Sequence, residues 1–458
     1  MTSSTPAGRR AQALFFAPDA ARDFSSVLAE VQAHISSSHA QLFSAGDEDM
    51  ARGQLKRYIR SYLQDGRIAV DGMTTDALTD AIYAEMSEYS FLTKYLRDPD
   101  VEEINVNSWR SVEVIYTDGR SVLLDEHFQS PEHAVNVIRR MLHKSGMVID
   151  DGDPAVLGSL AKNIRIAAFK SPLVDDDVGV ACSIRIVNPR RMGREEFISH
   201  GTATAEMLDF LAACVRYGVS VCLAGGTGSG KTTVTGWLLS TLPDSMRVGT
   251  IESGSRELNL VRERDGRVVN SVLHALTRPS EIERQNITQD ILLDYFLRFD
   301  FDLICVGEMR GPEAYAAQEA ARTGHTVVST VHSNSCDTTW RRIVTLCKRA
   351  SDISDATLLE LVTEAFPIVA YAKQLEDKSR RLMEIMECVI HPDGAREYRT
   401  LYRYHIDESR IEDGKHIIQG HHEQVSPISE ALRKRFLDNG MPTDQLSALC
   451  GTEGRERA

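Results

Sequence analysis

No run of this sequence approaches the roughly 20 consecutive apolar residues that a membrane-spanning helix needs. The short apolar stretch from Ala11 to Ala17 is broken at once by Pro18, Asp19 and Arg22, too soon for a secretory signal. Cysteine is sparse and unpaired in pattern: eight residues, none in a CxxC arrangement, which excludes a zinc-ribbon spacing and argues for reduced core or surface thiols. Basic residues are outnumbered, 52 Lys and Arg against 66 Asp and Glu, so the surface as a whole is not built for nucleic acid. Internal repeats at solenoid spacing and low-complexity tracts are also missing. What is present is a 458-residue chain with 42% hydrophobic residues, enough for two or three well-packed domains. A cytoplasmic protein is expected, one that reaches the inner face of a membrane only through partners.

Residues 1–51, rich in Ser, Ala and Gln, read as an appendage, helical or mobile. From 52 to 190 the pattern is α+β. Leu55, Tyr58, Ile59 and Tyr62 recur at helical spacing, as do the apolar residues of Leu78–Phe91. Ile104, Val106, Val112 and Val114 alternate before the turn Thr117-Asp118-Gly119-Arg120. A helix is predicted from Pro131, then strands over 163–169 and 180–187. Residues 191–203 read as a linker. From 204 to 440 short apolar strands at 219–223, 247–251, 303–306 and 327–331 alternate with helical stretches, notably 281–299 and 312–322. That alternation predicts an α/β domain with a mostly parallel, helix-covered sheet. It continues through a strand pair near 368–371 and 383–389, a mixed polar stretch over 408–420 and a helix over 427–436. Residues 441–458 form a tail.

The chemistry is most legible at Gly225-Gly226-Thr227-Gly228-Ser229-Gly230-Lys231-Thr232, followed by Thr233. The spacing GxxxxGK[ST], with a strand before and a helix after, is that of a triphosphate-binding loop. Glycines allow the backbone to curl its N–H groups toward phosphate, and the helix start adds positive potential. Lys231 is expected to bridge the β- and γ-phosphates of ATP, and the Thr232 hydroxyl to bind Mg²⁺. Glu252 and Glu308 each close a predicted strand, where acids point into the ligand crevice of a parallel sheet. Either suits the activation of water, and Glu308 is a second candidate ligand for Mg²⁺. His325 and His332 flank the strand over 327–331. Seven residues apart with no neighbouring cysteine or carboxylate, they make a poor zinc pair; hydroxyls and amides between them suit sensing of the γ-phosphate, and His332, after the strand's C-terminal end, is the better functional candidate.

Taken in order, these motifs resemble those of the secretion and type IV pilus superfamily ATPases, in the branch of Tad/Flp pilus motors and the hexameric ATPases of type IV secretion. The resemblance spans about residues 78–436. It rests on the phosphate loop, the acidic box Ile251-Glu252-Ser253-Gly254-Ser255-Arg256-Glu257-Leu258, the Walker B-like segment Val306–Ala314, and the histidine box Thr323-Gly324-His325 with His332-Ser333-Asn334-Ser335. Ser253 stands where the family usually has Asp, and the acidic box is one residue longer between its acids. The stretch before Arg165 lacks the family's usual D-G-S-R wording.

The resemblance implies a RecA-like P-loop NTPase C-terminal domain with a smaller α+β N-terminal domain. It implies arginines, Arg165 and Arg185, that approach nucleotide phosphate, with Arg298 and Arg310 as further candidates and Arg310 grouped with Lys231, Glu252 and Glu308 for catalysis. It also implies a homo-oligomer, a hexameric ring, working on inner-membrane platform proteins of a pilus or secretion machine, with no direct nucleic-acid partner. A nucleotide-dependent scaffold without catalysis and a RecA-like nucleic-acid translocase are the competing readings.

Overall fold

The computed structural model describes residues 22–449 apart from 39–47, 162, 187–191, 255, 279, 281 and 413. Residues 1–21 of the expected appendage and 450–458 of the expected tail lie outside the described residues. The chain divides into two compact units, one containing residues up to 156 and 168–183, the other 157–167 and 184 onward.

In the first unit, α1 (Phe24–Ser38), α2 (Glu48–Asp65) and α3 (Thr75–Ser87) share one apolar cluster that includes Val27, Val31, Ile35, Ile59, Leu63, Leu78 and Ile82. The boundary expected at residue 51 therefore falls inside α2, because the apolar face of α1 is covered by the helices that follow it. After α4 (Leu92–Arg97) come β1 (Val101–Ser108), β2 (Ser111–Tyr116), β3 (Ser121–Leu123), α5 (Pro131–Lys144), β4 (Ala155–Ala161), β5 (Ile164–Lys170) and β6 (Val180–Ile186). The six strands form one sheet in the order β3-β2-β1-β6-β5-β4, and the division into units crosses the last three strands of the chain order, β4, β5 and β6, with 157–161, 164–167 and 184–186 falling in the second unit. Pro131 opens α5, where its missing N–H costs nothing, and the Ser130 hydroxyl accepts from the His133 N–H at 3.1 Å.

The first helix of the second unit is α6 (Arg194–Ser199), inside the stretch expected to be linker, where Phe197 packs edge-on against Trp237. It continues with α7 (Ala205–Arg216), β7 (Val221–Gly225), α8 (Lys231–Ser240) and β8 (Arg247–Glu252). Next come β9 (Glu263–Arg264), β10 (Arg267–Val268), β11 (Ser271–Leu276), a 3₁₀ turn (Glu283–Gln285), α9 (Gln289–Phe296) and β12 (Leu303–Val306). Then follow α10 (Glu313–Arg322), β13 (Thr326–Val331), α11 (Cys336–Cys347), α12 (Asp355–Ala365) and β14 (Ile368–Gln374). The described chain ends with β15 (Arg380–Ile390), β16 (Arg396–Glu412), β17 (Lys415–Gln424), α13 (Glu430–Asp438) and α14 (Thr443–Leu449).

Nine of these strands make a single sheet in the order β11-β8-β12-β13-β7-β14-β15-β16-β17. From β11 to β14 neighbours are parallel, and from β14 to β17 they are antiparallel. Every residue of β7 is buried, and its side chains alternate between two cores as the pleat requires. Val221 and Leu223 join the cluster containing Leu208, Leu211, Leu238 and Phe436. Cys222 and Ala224 join the one containing Ala317, Trp340, Ile343 and Val362. The loop after β7 is thus carried by a strand covered on both faces.

Two stretches differ from the sequence reading. The helix expected over 281–299 shrinks to Gln289–Phe296: Arg278 and Ile287 exchange backbone hydrogen bonds in a bridge (2.9 and 2.8 Å), and ahead of α9 only the 3₁₀ turn Glu283–Gln285 forms. The polar stretch 408–420 is the end of the long β16–β17 hairpin, paired to Glu412 and Lys415. Much of that end is exposed, so it lacks the apolar alternation by which a half-buried strand is read.

Candidate nucleotide site

Parallel strands place their C-terminal ends on one edge of a sheet. That edge gathers Gly225 at the end of β7, Glu252 at the end of β8, Glu308 two residues past β12 and His332 immediately after β13. Gly225 has φ +155°, and a Cβ there would lie 2.2 Å from the Ala372 carbonyl oxygen, so no other residue fits. Gly228 and Gly230 sit at φ +72° and +90°, alternating with residues of negative φ. This is the backbone pattern of an anion-binding nest, and α8 starts directly after it.

Lys231 is buried. Its ammonium donates to the Gly225 carbonyl at 3.0 Å and the Gly226 carbonyl at 2.7 Å. Burial lowers its pKa, and the Glu308 carboxylate partly offsets this. Ser229 ties the loop to itself, its hydroxyl donating to the Gly226 carbonyl at 2.9 Å. Thr232 is half-buried in the first turn of α8, and Thr233 and Thr227 are exposed.

Glu308 is held at one oxygen and approached at the other, which has no hydrogen-bond partner. Arg310 Nη2 donates to Oε2 at 2.6 Å, and His332 Nε2 lies 3.1 Å from Oε1. Burial, then the Lys231 charge, lowers the pKa of His332, so its imidazole is neutral at pH 7. Glu252 is more deeply buried. One carboxylate oxygen accepts from the Glu257 N–H at 2.7 Å and the Leu258 N–H at 3.1 Å, whereas the other has no hydrogen-bond partner. Burial outweighs those two bonds and pushes its pKa up to about 7.

The arginines separate into two sets. Arg165 and Arg185 belong to the same compact unit as the loop. Arg165 Nη2 donates to the Ser253 carbonyl at 3.2 Å and pairs with Glu257 at 3.1 Å. Arg185 is near enough to contribute to lowering the Lys231 pKa. Arg298 and His325, by contrast, precede β12 and β13. They therefore lie toward the opposite edge of the sheet from the phosphate loop, His325 a whole strand's length away. They do not share the loop's surroundings within one chain.

Three participants escaped the sequence reading. Arg380 Nε, at the start of β15, donates to the Gly228 carbonyl at 2.8 Å and so fastens the loop to the antiparallel end of the sheet. Glu313 accepts from the N–H groups of Arg310 and Gly311, fixing the turn that carries Glu308 and Arg310. Gln289 satisfies its neighbours when its amide oxygen accepts from the Ser253 hydroxyl (3.0 Å) and its nitrogen donates to the Glu308 carbonyl (3.1 Å) and to Glu313 (3.3 Å). Ser253 is thereby linked to Glu308 by a neutral relay. Only Glu313 had a local signal, an acid in the first turn of a helix after Gly-Pro; Arg380 and Gln289 arrive from far along the chain.

With the site assembled, comparison with known proteins becomes informative. A family model described as type II/IV secretion system protein matches residues 159–430. The chain belongs to that family. It is similar to the protein VirB11 of Rhizobium radiobacter, 29% identical over 196 residues that cover 42% of this chain and 54% of VirB11. It is likewise similar to the type IV secretion system protein PtlH of Bordetella pertussis, 31% identical over 183 residues, 39% of this chain and 52% of PtlH. The chain thus spans about half the length of these curated relatives. Among solved structures it is similar to the Legionella pneumophila ATPase DotB, at 20% identity and TM-score 0.45, covering 66% of this chain and 80% of that one. The matched region of the family includes the phosphate loop, both acids and both histidines.

Proposed function

We propose that this chain is an ATP hydrolase whose RecA-like unit drives movement between domains of a ring-shaped, hexameric motor, powering Tad/Flp-type pilus assembly or type II/IV secretion. The observation that carries the reading is the convergence on one sheet edge of a buried lysine, an anion nest and a carboxylate held at one oxygen by Arg310, the other oxygen having no hydrogen-bond partner among the described residues. A triphosphate fits these residues: the nest is open only to glycine, and the charge of Lys231 balances phosphate.

Mg²⁺, when bound, neutralises phosphate oxygens as charge shifts in the transition state, with Thr232 and Glu308 as its candidate holders. Lys231 holds the terminal phosphates, exchanging its loop carbonyls for them. Glu308, aligned by Arg310 and with its other oxygen free of hydrogen-bond partners, orients a water and takes up its proton. Glu252, half-protonated near neutral pH, is the second candidate for that role. Arg165 and Arg185 report phosphate occupancy, Arg165 through its hold on the acidic box. For any of this to move a domain, the contacts must differ between the triphosphate and diphosphate states. Partners in this reading are further copies of the chain and inner-membrane platform proteins. No helix among the described residues is long and apolar enough to cross a membrane, so anchorage in this reading falls to those proteins.

Phosphate release from Mg²⁺-ATP by the purified full-length chain, alone and with the platform proteins, tests the reading. Lys231→Ala and Glu308→Gln are each expected to lower turnover by about a hundredfold or more. Undiminished turnover in Glu308→Gln would end the role assigned to Glu308, and undiminished turnover in Lys231→Ala would end the ATPase reading itself.

A further inference from the structure

Beside the phosphate loop lies a cavity of about 440 Å³ that the mechanism above does not use. Gly225 and Gly226 form one wall, and His332 and Asn334 another. The far wall is the face of α11 that carries Arg341 and Arg342. Three hydroxyls, from Ser333, Thr338 and Thr345, complete the lining, and none of the lining residues is acidic. Neither guanidinium has a carboxylate partner among the described residues, and neither donates a hydrogen bond to them. Two unpaired arginines side by side on a helix repel one another, and an anion between or beside them removes that cost.

The cavity shares its walls with the nucleotide site. His332 touches Glu308 on one side and lines the cavity on the other. The Gly225 and Gly226 segment that receives Lys231 forms the same boundary. A tetrahedral oxyanion leaving Lys231 and Glu308 past His332 enters a space lined by the two guanidinium groups and by hydroxyls that already bond to the chain around them. At about 30 Å³ per water, there is room for such an ion with several waters around it.

We propose that this cavity is an exit site for inorganic phosphate, in which Arg341 and Arg342 hold the cleaved phosphate after it leaves the loop and before it reaches solvent. The inference rests on the hydrolase reading, but the ion it names can be tested without turnover. Arg341 and Arg342 act on product, so cleavage itself proceeds without them. Loss of a charge-assisted hydrogen bond to phosphate changes affinity by about tenfold or more.

The test uses the full-length chain, the double variant Arg341→Gln with Arg342→Gln, the double Lys variant at the same positions, and Lys231→Ala. Binding of inorganic phosphate is measured by ³¹P line broadening with ADP present, and cleavage by single-turnover quench. In the Gln variant phosphate affinity and phosphate inhibition of turnover should fall by about tenfold or more, with cleavage changed less than about twofold. The Lys variant should recover most of the affinity, which a folding defect would not allow, and Lys231→Ala should still bind phosphate. Phosphate binding that disappears in Lys231→Ala yet is unchanged in the Gln variant places the ion in the loop and overturns the exit site. So does a chain that binds no phosphate with ADP present. If the wild-type chain binds phosphate through Arg341 and Arg342 but hydrolyses no ATP, the hydrolase reading falls and the anion site stands.

Discussion

Glu252→Gln isolates the energetic cost of burying a carboxyl beside the phosphate loop. The side chain ends β8 with 4% exposure, and one of its oxygens is without a partner. Burial raises its pKa from 4.5 to about 7. Each tenfold change in proton affinity is about 1.4 kcal/mol, so the folded state prefers the protonated group by about 3 kcal/mol. The sign follows from linkage: with the folded pKa above the unfolded one, this stability is complete below pH 4.5 and is lost as pH rises through about 7. Glutamine keeps an oxygen for the Glu257 and Leu258 N–H groups and cannot ionise. Urea unfolding of the wild type and the variant at pH 4.5 and pH 8 should show the variant gaining about 3 kcal/mol on the wild type between the two. Comparing the same transition in two near-identical chains removes the contribution of every other titrating group. Parallel stability profiles would falsify the idea that Glu252 is ionised at a cost, and would leave it paired with a cation or water in solution.

Two further perturbations bear on the loop. Gly225→Ala forces a Cβ to within 2.2 Å of the Ala372 carbonyl oxygen at a backbone angle that side chains disfavour. A loss of about 1–3 kcal/mol is expected from the crowding, with loss of binding of a fluorescent ATP analogue; unchanged melting and binding would contradict the geometry. Arg380→Gln removes the hydrogen bond to the Gly228 carbonyl, a charge-assisted contact of about 1.5–3 kcal/mol. The KM for ATP should rise about tenfold with kcat less affected, and an equal fall in kcat with unchanged KM would mean that Arg380 acts on the chemistry rather than on loop shape.

The parts of this molecule that were legible in its sequence are those whose cause is local. Val221–Gly225 is a short, wholly apolar strand and the glycine spacing after it is dictated by phosphate, so the loop could be read directly. Glu308 and His332 were legible because each closes an apolar strand, and parallel strands leave their C-terminal ends together. The same rule places Arg298 and His325 at the other edge, yet motif order alone grouped them with the site, since order along a chain does not say which end of a strand a residue occupies. Arg380 and Gln289 carried no signal because their roles depend on pairings made across the sheet. The β16–β17 hairpin was obscured for a related reason. Strand patterns are legible when one face is buried, and much of this hairpin is wet on both.

The attachment of Arg380 to Gly228 also bears on how the chain assembles. The loop and its fastener are 152 residues apart in sequence, and Gly225 depends on an equally remote stretch of β14, where Ala372 is its register partner. During synthesis the glycine-rich segment emerges long before either. It must wait, unshaped, until β14 and β15 have been made and docked. Closing so long a loop costs entropy that only the finished sheet repays. The anion nest is therefore a late product of folding. A chain stopped before residue 380 would carry the whole phosphate motif and hold it in no fixed form.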